Sequence, residues 1–326
     1  MSIDAQILMA LRSAKNGGVS GADLSEKLGI SRAAVWARIE ELRALGYDIQ
    51  ASPHVGYKLV SIPDVLHADD LRSRLQDVKV VGRDIRVFQE TTSTNDVVEK
   101  LARDGVKEGA VVFAESQSKG RGRLGRKWVS PPGKGLWFSV LLRPNFHPLC
   151  TTQLTVASAT ALVRAIRSQT GVQAEIKWPN DILICGKKVA GILTELSAEI
   201  DSVKYVIIGI GVDVNLQNSD FPPEVRNIAT SLQVESRRHV NRADLATAIL
   251  REFDIDYGRI CAGQFEKVAE QWEQQCSTLG HNVCIRVGDR TVYGHAEALD
   301  TDGALLVRTQ HGHLERIIGG DVTLEK

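Results

Sequence analysis

The stretch Ser118–Trp128, SKGRGRLGRKW, sets three glycines among five basic side chains and holds no acid. Arg121, Arg123 and Arg126 alternate with Gly120, Gly122 and Gly125. Glycine permits close backbone approach, and forked guanidiniums can gather on one phosphate or carboxylate. The chemistry this suits is neutralisation of charge around a phosphoryl or carboxyl group. A solvated basic loop has the same composition, and these residues alone leave both readings open. A second group, KWPND at 177–181, puts a cation, an amide and a carboxylate within one turn: Lys177, Asn180 and Asp181. Trp178 precedes proline and is pushed toward extended backbone. Lys177 is therefore expected at the end of a strand, with Asn180 and Asp181 just beyond it. Pro-Asn-Asp is also ordinary turn composition.

The three glycines match G-x-G-x-x-G, a dinucleotide-binding pattern that means little without its context. A strand before it is present in AVVFAES (110–116), but no helix follows, because KWVSPPGKGLW carries two prolines and two glycines. No Asp or Glu occurs from Ser116 to Ala174, a run of 59 residues with nine Lys or Arg. The ribose-binding acid expected about 20 residues on is therefore missing as well. The Rossmann reading is rejected, and a basic loop in need of an anion remains.

The elements that must position these groups fall into three segments: 1–64, 65–275 and 276–326. The first reads as three short helices and a hairpin. One helix runs from Ile3 to Lys15, a second is capped by Ser20 and stopped at Gly29, and a third starts after Ser31 and ends before Gly46. Val35, Ile39 and Leu42 form the apolar stripe of the third, and Arg32, Trp36 and Arg43 lie opposite as candidate DNA contacts. This is the order of a winged helix-turn-helix; a helical docking module would have the same elements. Residues 1–60 hold seven Lys or Arg against six acids, so non-specific attraction to DNA is weak and a dimer on paired half-sites is implied. The middle segment mixes strands (DIRVFQ, AVVFAE, LWFSVLL, EIKW, DILIC, VAGILTEL, YVIIGIGVDVNL) with helices at 94–103, 152–169 and 241–272. Adjacent strands without intervening helices predict a mixed, α+β sheet. The last segment reads as a small all-β barrel.

The chain has 326 residues, 43% apolar and 25% charged, with zero net charge. Binding of phosphate or nucleic acid must then come from local clusters. Five cysteines without a C-x-x-C pair argue against a disulfide framework or a zinc site and for a reducing compartment. No metal-ligating cluster, signal peptide or membrane span is expected, and the cytoplasm is the expected location.

GRGRLGRKW, KWPND, KKVAGILTE (187–195) and a Gly-Ile-Gly strand, in this order, resemble bacterial biotin protein ligases. TTSTNDV (91–97), Gln117 before the glycine loop and ATSL (229–232) add to the likeness, which covers essentially the whole chain. The N-terminal segment resembles that of the bifunctional kind, which also represses biotin synthesis genes. The resemblance implies a winged helix, a mixed-sheet catalytic domain and an SH3-like C-terminal barrel. It implies ATP and biotin as substrates, with Mg²⁺ on the triphosphate, and biotinyl-5′-adenylate and pyrophosphate as first products. Biotin then passes to a lysine of a biotin carboxyl carrier protein; the other partners implied are operator DNA and a second copy in an adenylate-bound homodimer.

The site implied is specific. Ser93, Thr94, Asn95, Gln117 and the loop residues Arg121, Gly122 and Arg123 line biotin, with Lys188 beside its carboxylate. Arg123, Arg126, Trp128, Lys177, Asn180 and Asn215 go with ATP. Arg123 and Lys177 serve the chemistry, and Asp181 is our own candidate to orient or deprotonate the incoming amine. One departure stands out: GIGVDVN places Asp213 where the family pattern G-I-G-x-N-x-N has its first asparagine. Two rivals remain. A lipoate ligase would share fold and adenylate route, but the glycine-arginine loop and KWPND speak against it. A regulator that only senses biotin would not need Lys177, Lys188 and three loop arginines.

Overall fold

A computed structural model describes residues 2–14, 17–75 and 77–324, which divide into two compact units, Met1–Asp77 and Val78–Lys326. In the first, α1 (Ile3–Ser13), α2 (Gly21–Leu28) and α3 (Arg32–Ala44) precede the hairpin of β1 (Asp48–Ser52) and β2 (Gly56–Ser61). The expected extension of α1 to Lys15 lies outside the described residues. Ser20 and Ser31 cap α2 and α3 by accepting backbone N–H groups, and left-handed Gly29 ends α2. Ile7, Leu8, Leu11, Leu24, Val35, Ile39 and Leu42 close the core together with Tyr47 and Ile49. The apolar stripes therefore do what their spacing predicts.

Two expectations need correction. Arg43 is partly exposed but not free: its guanidinium donates to Ile49 O at 2.5 and 2.7 Å and to Glu40 at 2.5 Å, tying the helix end to β1. Arg32 and Trp36 are exposed. The break expected at residue 64 lies at 77/78 instead. The reason is a further helix, α4 (Ala68–Arg74), whose buried Asp70 takes an ion pair from Arg12 of α1, while Arg12 also donates to Ser73 Oγ. Asp69 and Asp70, which look like a linker in sequence, thus belong to the first turn of a helix, with Asp70 on its buried side.

The second unit is anchored at its start, where Asp254 accepts the N–H groups of Lys79, Val80 and Val81 at 2.6–2.8 Å. Its elements are β3 (Asp84–Thr91), α5 (Thr94–Arg103), β4 (Ala110–Gln117), β5 (Gly135–Leu142), α6 (Thr152–Thr170), β6 (Glu175–Lys177), β7 (Asp181–Ile184), β8 (Lys187–Ala198) and β9 (Val203–Asp213). The strands form one seven-stranded sheet in the order β3-β4-β5-β9-β8-β7-β6, parallel only at β3–β4. The mixed sheet read from the sequence is the one found. On one face α5 packs Val98, Leu101 and Ala102 on Val112, Leu141 and Ile207. α6 contacts β6 to β9; by length and composition it could cross a membrane, yet it is a buried core helix.

After α7 (Leu232–Ser236), the single helix expected over 241–272 is two, α8 (Arg242–Cys261) and α9 (Phe265–Glu273), because Gly263 turns left-handed between them. A five-stranded antiparallel sheet, the small SH3-like part, follows: β10 (Asn282–Val287), β11 (Arg290–Leu299), β12 (Leu305–Thr309), β13 (Leu314–Ile317) and β14 (Asp321–Leu324), in the order β13-β12-β11-β10-β14.

The corrected boundary has a measurable consequence. A fragment of residues 65–326 keeps α4 without α1 and exposes Leu71, which is fully buried; a fragment of 78–326 does not. We expect the shorter fragment to run as a single species by size-exclusion chromatography and the longer one to aggregate. Equal behaviour would show that α4 does not depend on α1.

Candidate active site

The site is built on bare sheet. Gly209 and Gly211 are two apart on β9 and so face the same side; Gly191 of β8 and Trp137 of β5 flank Gly211, while Ser139 of β5 flanks Gly209. A Cβ at Gly211 would stand 2.6 Å from the indole of Trp128, and one at Gly209 would stand 2.3 Å from Asn95 Oδ1. Trp128 and Asn95 therefore rest on backbone. Trp128 meets Trp137 edge-on at 6.3 Å between centroids, and Lys188 Nζ lies 5.3 Å from the Trp128 ring centroid.

The glycine loop is folded rather than open. Gly122 N–H bonds Arg126 O (2.7 Å), Trp128 N–H bonds Gly120 O (2.9 Å), and Leu124 and Gly125 both turn left-handed between them. Gly120 is required here, since a Cβ would meet Trp128 O at 2.4 Å. The three arginines do not converge on one point. Arg121 pairs with Asp96 (2.5 Å) and Glu195 (3.1 Å), Arg123 donates to Asn180 Oδ1 (3.0 Å) and Gly320 O (3.3 Å), and Arg126 pairs with Asp321. The loop's own run holds no acid, so each cation is met by an acceptor from another segment. Burial lowers the Arg123 pKa from its ordinary value, with Asp321 and Asp181 acting against that.

KWPND is the turn between β6 and β7, with a cis peptide at Trp178–Pro179. Its residues hold two cations side by side: Asn180 takes Arg123, and the next residue, Asp181, takes Lys188 Nζ at 2.5 Å. Asn180 is itself fixed, its Nδ2 donating to Ile192 O at 2.8 Å. Lys177 is half-buried at the end of β6 and makes no ion pair among the described residues. The backbone of Lys188 is gripped by Ile228 and the ATSL segment after it, through Lys188 N–H to Ile228 O and Thr230 N–H to Lys188 O.

Ser93, Thr94 and Asn95 start α5 and are buried. Gln117 Oε1 accepts Thr94 N–H (2.9 Å), and Gln117 Nε2 donates to Ser130 Oγ (2.9 Å). Asn95 Nδ2 donates to Glu195 (2.8 Å), and Asn95 Oδ1 accepts from Ser139 Oγ (2.5 Å). Glu195, Ser130, Ser139, Gly209 and Gly211 carry the geometry without having been singled out as site residues in the sequence. The Gly-Ile-Gly alternation was the available signal, because it bares one face of a strand. Asn215 stands apart: both ends of its amide bond the Val240 backbone (2.9 and 3.0 Å), so it joins the end of β9 to the approach of α8. Burial pushes the Asp213 carboxyl well above its ordinary pKa, with Lys188 pulling it down.

A mixed sheet bearing a basic glycine loop and a cation-holding turn defines the class. Residues 87–213 match the Biotin/lipoate A/B protein ligase family, 4–58 an HTH domain, and 278–324 the Biotin protein ligase C terminal domain. The bifunctional ligase/repressor BirA of Bacillus spizizenii is 41% identical over 94% of this chain and 94% of its own; that of Escherichia coli is 30% identical over 94% and 92%. The biotin protein ligase of Aquifex aeolicus, solved with biotin and ATP, superposes with a TM-score of 0.64 at 29% identity, covering 75% of this chain and 99% of that one. The chain belongs to the bifunctional biotin ligase/repressor family. It is a biotin–protein ligase that carries a DNA-binding repressor domain.

Two outcomes follow from the geometry. Gly211→Ala must displace the Trp128 indole, which near-ultraviolet circular dichroism will register; an unchanged spectrum would contradict the contact. Asp213 has a folded pKa above its unfolded one, so the stability it lends is full below the ordinary value of about 3.9 and is lost as pH rises toward the folded value. Asp213→Asn removes that loss. Urea titrations should show the variant more stable than the parent at pH 7, by up to about 1.4 kcal/mol for each tenfold by which folding weakens the acid, and no more stable at pH 4.

Proposed function

We propose that the face around Gly191, Gly209 and Gly211 binds biotin and ATP and forms biotinyl-5′-adenylate, which passes biotin to a lysine of a biotin carboxyl carrier protein. The observation that carries this reading is the pair of cations held on consecutive residues of KWPND, Arg123 on Asn180 and Lys188 on Asp181. Asn180 and Arg123 are 57 residues apart in sequence. A site for joining a carboxylate to a phosphate needs fixed cations of this kind, because the attacking group and its target are both anionic.

In the first step a biotin carboxylate oxygen attacks the α-phosphorus of ATP and pyrophosphate leaves. Lys188 neutralises the carboxylate, exchanging Asp181 for it. Arg123 and Lys177 offset charge on the phosphoryl oxygens, and Arg126 and Trp128 serve the nucleotide. Ser93, Thr94, Asn95, Gln117 and the backbone of Arg121, Gly122 and Arg123 line the biotin end. In the second step the carrier amine attacks the acyl carbon, AMP leaves, and Asp181, freed from Lys188, takes the amine proton. Mg²⁺ would supply further charge on the triphosphate. No group of three or more His, Cys, Asp or Glu able to hold a metal occurs among the described residues. The N-terminal unit, through exposed Arg32 and Trp36, binds operator DNA as part of an adenylate-bound homodimer in the cytoplasm.

Incubation with ATP, biotin and a carrier domain, read by mass spectrometry, should add one biotinyl group to one carrier lysine; no transfer would sink the reading. Arg123→Gly cuts the loop's ties to Asn180 and Gly320 while leaving Lys177 and Lys188. Loss of such a charged contact is worth roughly 10–100-fold in adenylate lifetime. Pyrophosphate release should stay near normal while unrelated proteins become biotinylated. Loss of pyrophosphate release with both substrates still bound would instead show that Lys177 cannot stand in for Arg123 in the first chemical step.

A further inference from the structure

Glu195 lies on β8 and is a hydrogen-bond acceptor for two different parts of the site. Both its oxygens accept from Arg121 of the glycine loop, each 3.1 Å from Nη2, with Nε also donating to Oε1 at 3.1 Å. Its Oε2 takes Nδ2 of Asn95 at 2.8 Å. A carboxylate can accept all of these at once, whereas an amide in its place cannot.

The consequence for Asn95 is a fixed orientation. Its amide is buried, it rests on the bare backbone of Gly209, its nitrogen is held by Glu195 and its oxygen by Ser139. Were the acceptor at Glu195 lost, the amide could rotate and exchange donor for acceptor. The consequence for the loop is a tether. Ser139 Oγ also lies 2.7 Å from Thr94 Oγ1, Thr94 N–H bonds Gln117, and Gln117 bonds Ser130 just past the loop. Arg121 near the start of the loop and Ser130 beyond its end are thus both tied to the first turn of α5. Asp96 of that turn completes the ring, taking Arg121 Nη1 at 2.5 Å and Thr92 Oγ1 at 3.0 Å.

We propose that Glu195 is a positioning residue that couples the glycine loop to the biotin pocket, holding Arg121 with one part of its carboxylate and setting the donor–acceptor sense of Asn95 with the other. This rests on the reading of the Ser93–Asn95 turn as the biotin end of the site. Any order the loop gains over the adenylate is then transmitted to the turn that grips biotin, and the reverse holds equally, since coupling between sites is reciprocal.

The test uses the full chain and biotin-dependent exchange of pyrophosphate into ATP. Glu195→Gln should raise the KM for biotin roughly 10-fold or more, the worth of a charged hydrogen bond, with kcat and the melting temperature little changed. Arg121→Lys should shift the same KM in the same direction. The double variant should be no worse than the worse single variant, because both act through one link. A folded Glu195→Gln with parental KM, or effects that multiply in the double variant, would overturn the proposal. If Glu195→Gln fails to fold, Arg121→Lys decides alone, and an unchanged biotin KM overturns the coupling. Failure of the wild-type chain to exchange pyrophosphate would instead refute the underlying ligase reading.

Discussion

A strip of sheet without side chains is the constraint on which the site depends. Gly191 and Gly211 are paired across β8 and β9, with Gly209 two residues along. Because these positions carry no Cβ, an indole and a carboxamide can lie against the strand itself. Trp128 brings the end of the glycine loop down to the sheet, and Asn95 brings the start of α5. Both would be lifted by a single methyl group. β9 is a central strand paired along its length with β5 and β8, so its backbone groups are satisfied although its face is bare.

The second organising fact is electrostatic. The chain carries 40 basic and 40 acidic residues, and the long acid-free run around the loop gathers cations in one place. Like charges so close would repel unless each had an acceptor nearby. Each loop arginine draws on a different segment: Arg121 on α5 and β8, Arg123 on the KWPND turn, Arg126 on β14. Lys188 draws on Asp181. These pairs are partly exposed, so each is worth little on its own. Weak pairs of this kind can be exchanged for other anions at little cost. Arg126 and Asp321 make the small C-terminal sheet part of this arrangement.

Local signals were legible in the sequence where the physics is local. The serine caps of α2 and α3, the bounds of α5 and the seven strands of the central sheet follow from periodicity and punctuation. The two basic motifs were legible as motifs, and the structure brings them together through Arg123 and Asn180. Legibility ended where an answer depends on a partner far along the chain. Arg43 looks free on a helical wheel, yet Ile49 O lies within its reach. Nothing near Asn215 in sequence shows that Val240 will meet both ends of its amide. Asp69 and Asp70 read as a linker because nothing local shows that Arg12 will meet the second of them. Glu195 ends a motif that was recognised, but its two acceptor roles exist only once β8, the loop and α5 are assembled.

If these cations serve an acyl-adenylate, exchange of labelled pyrophosphate into ATP measures its formation most directly. Exchange should require biotin and need no carrier protein, since the first step is complete and reversible by itself. Biotin binding without exchange, or exchange that appears only when the carrier is present, would contradict it.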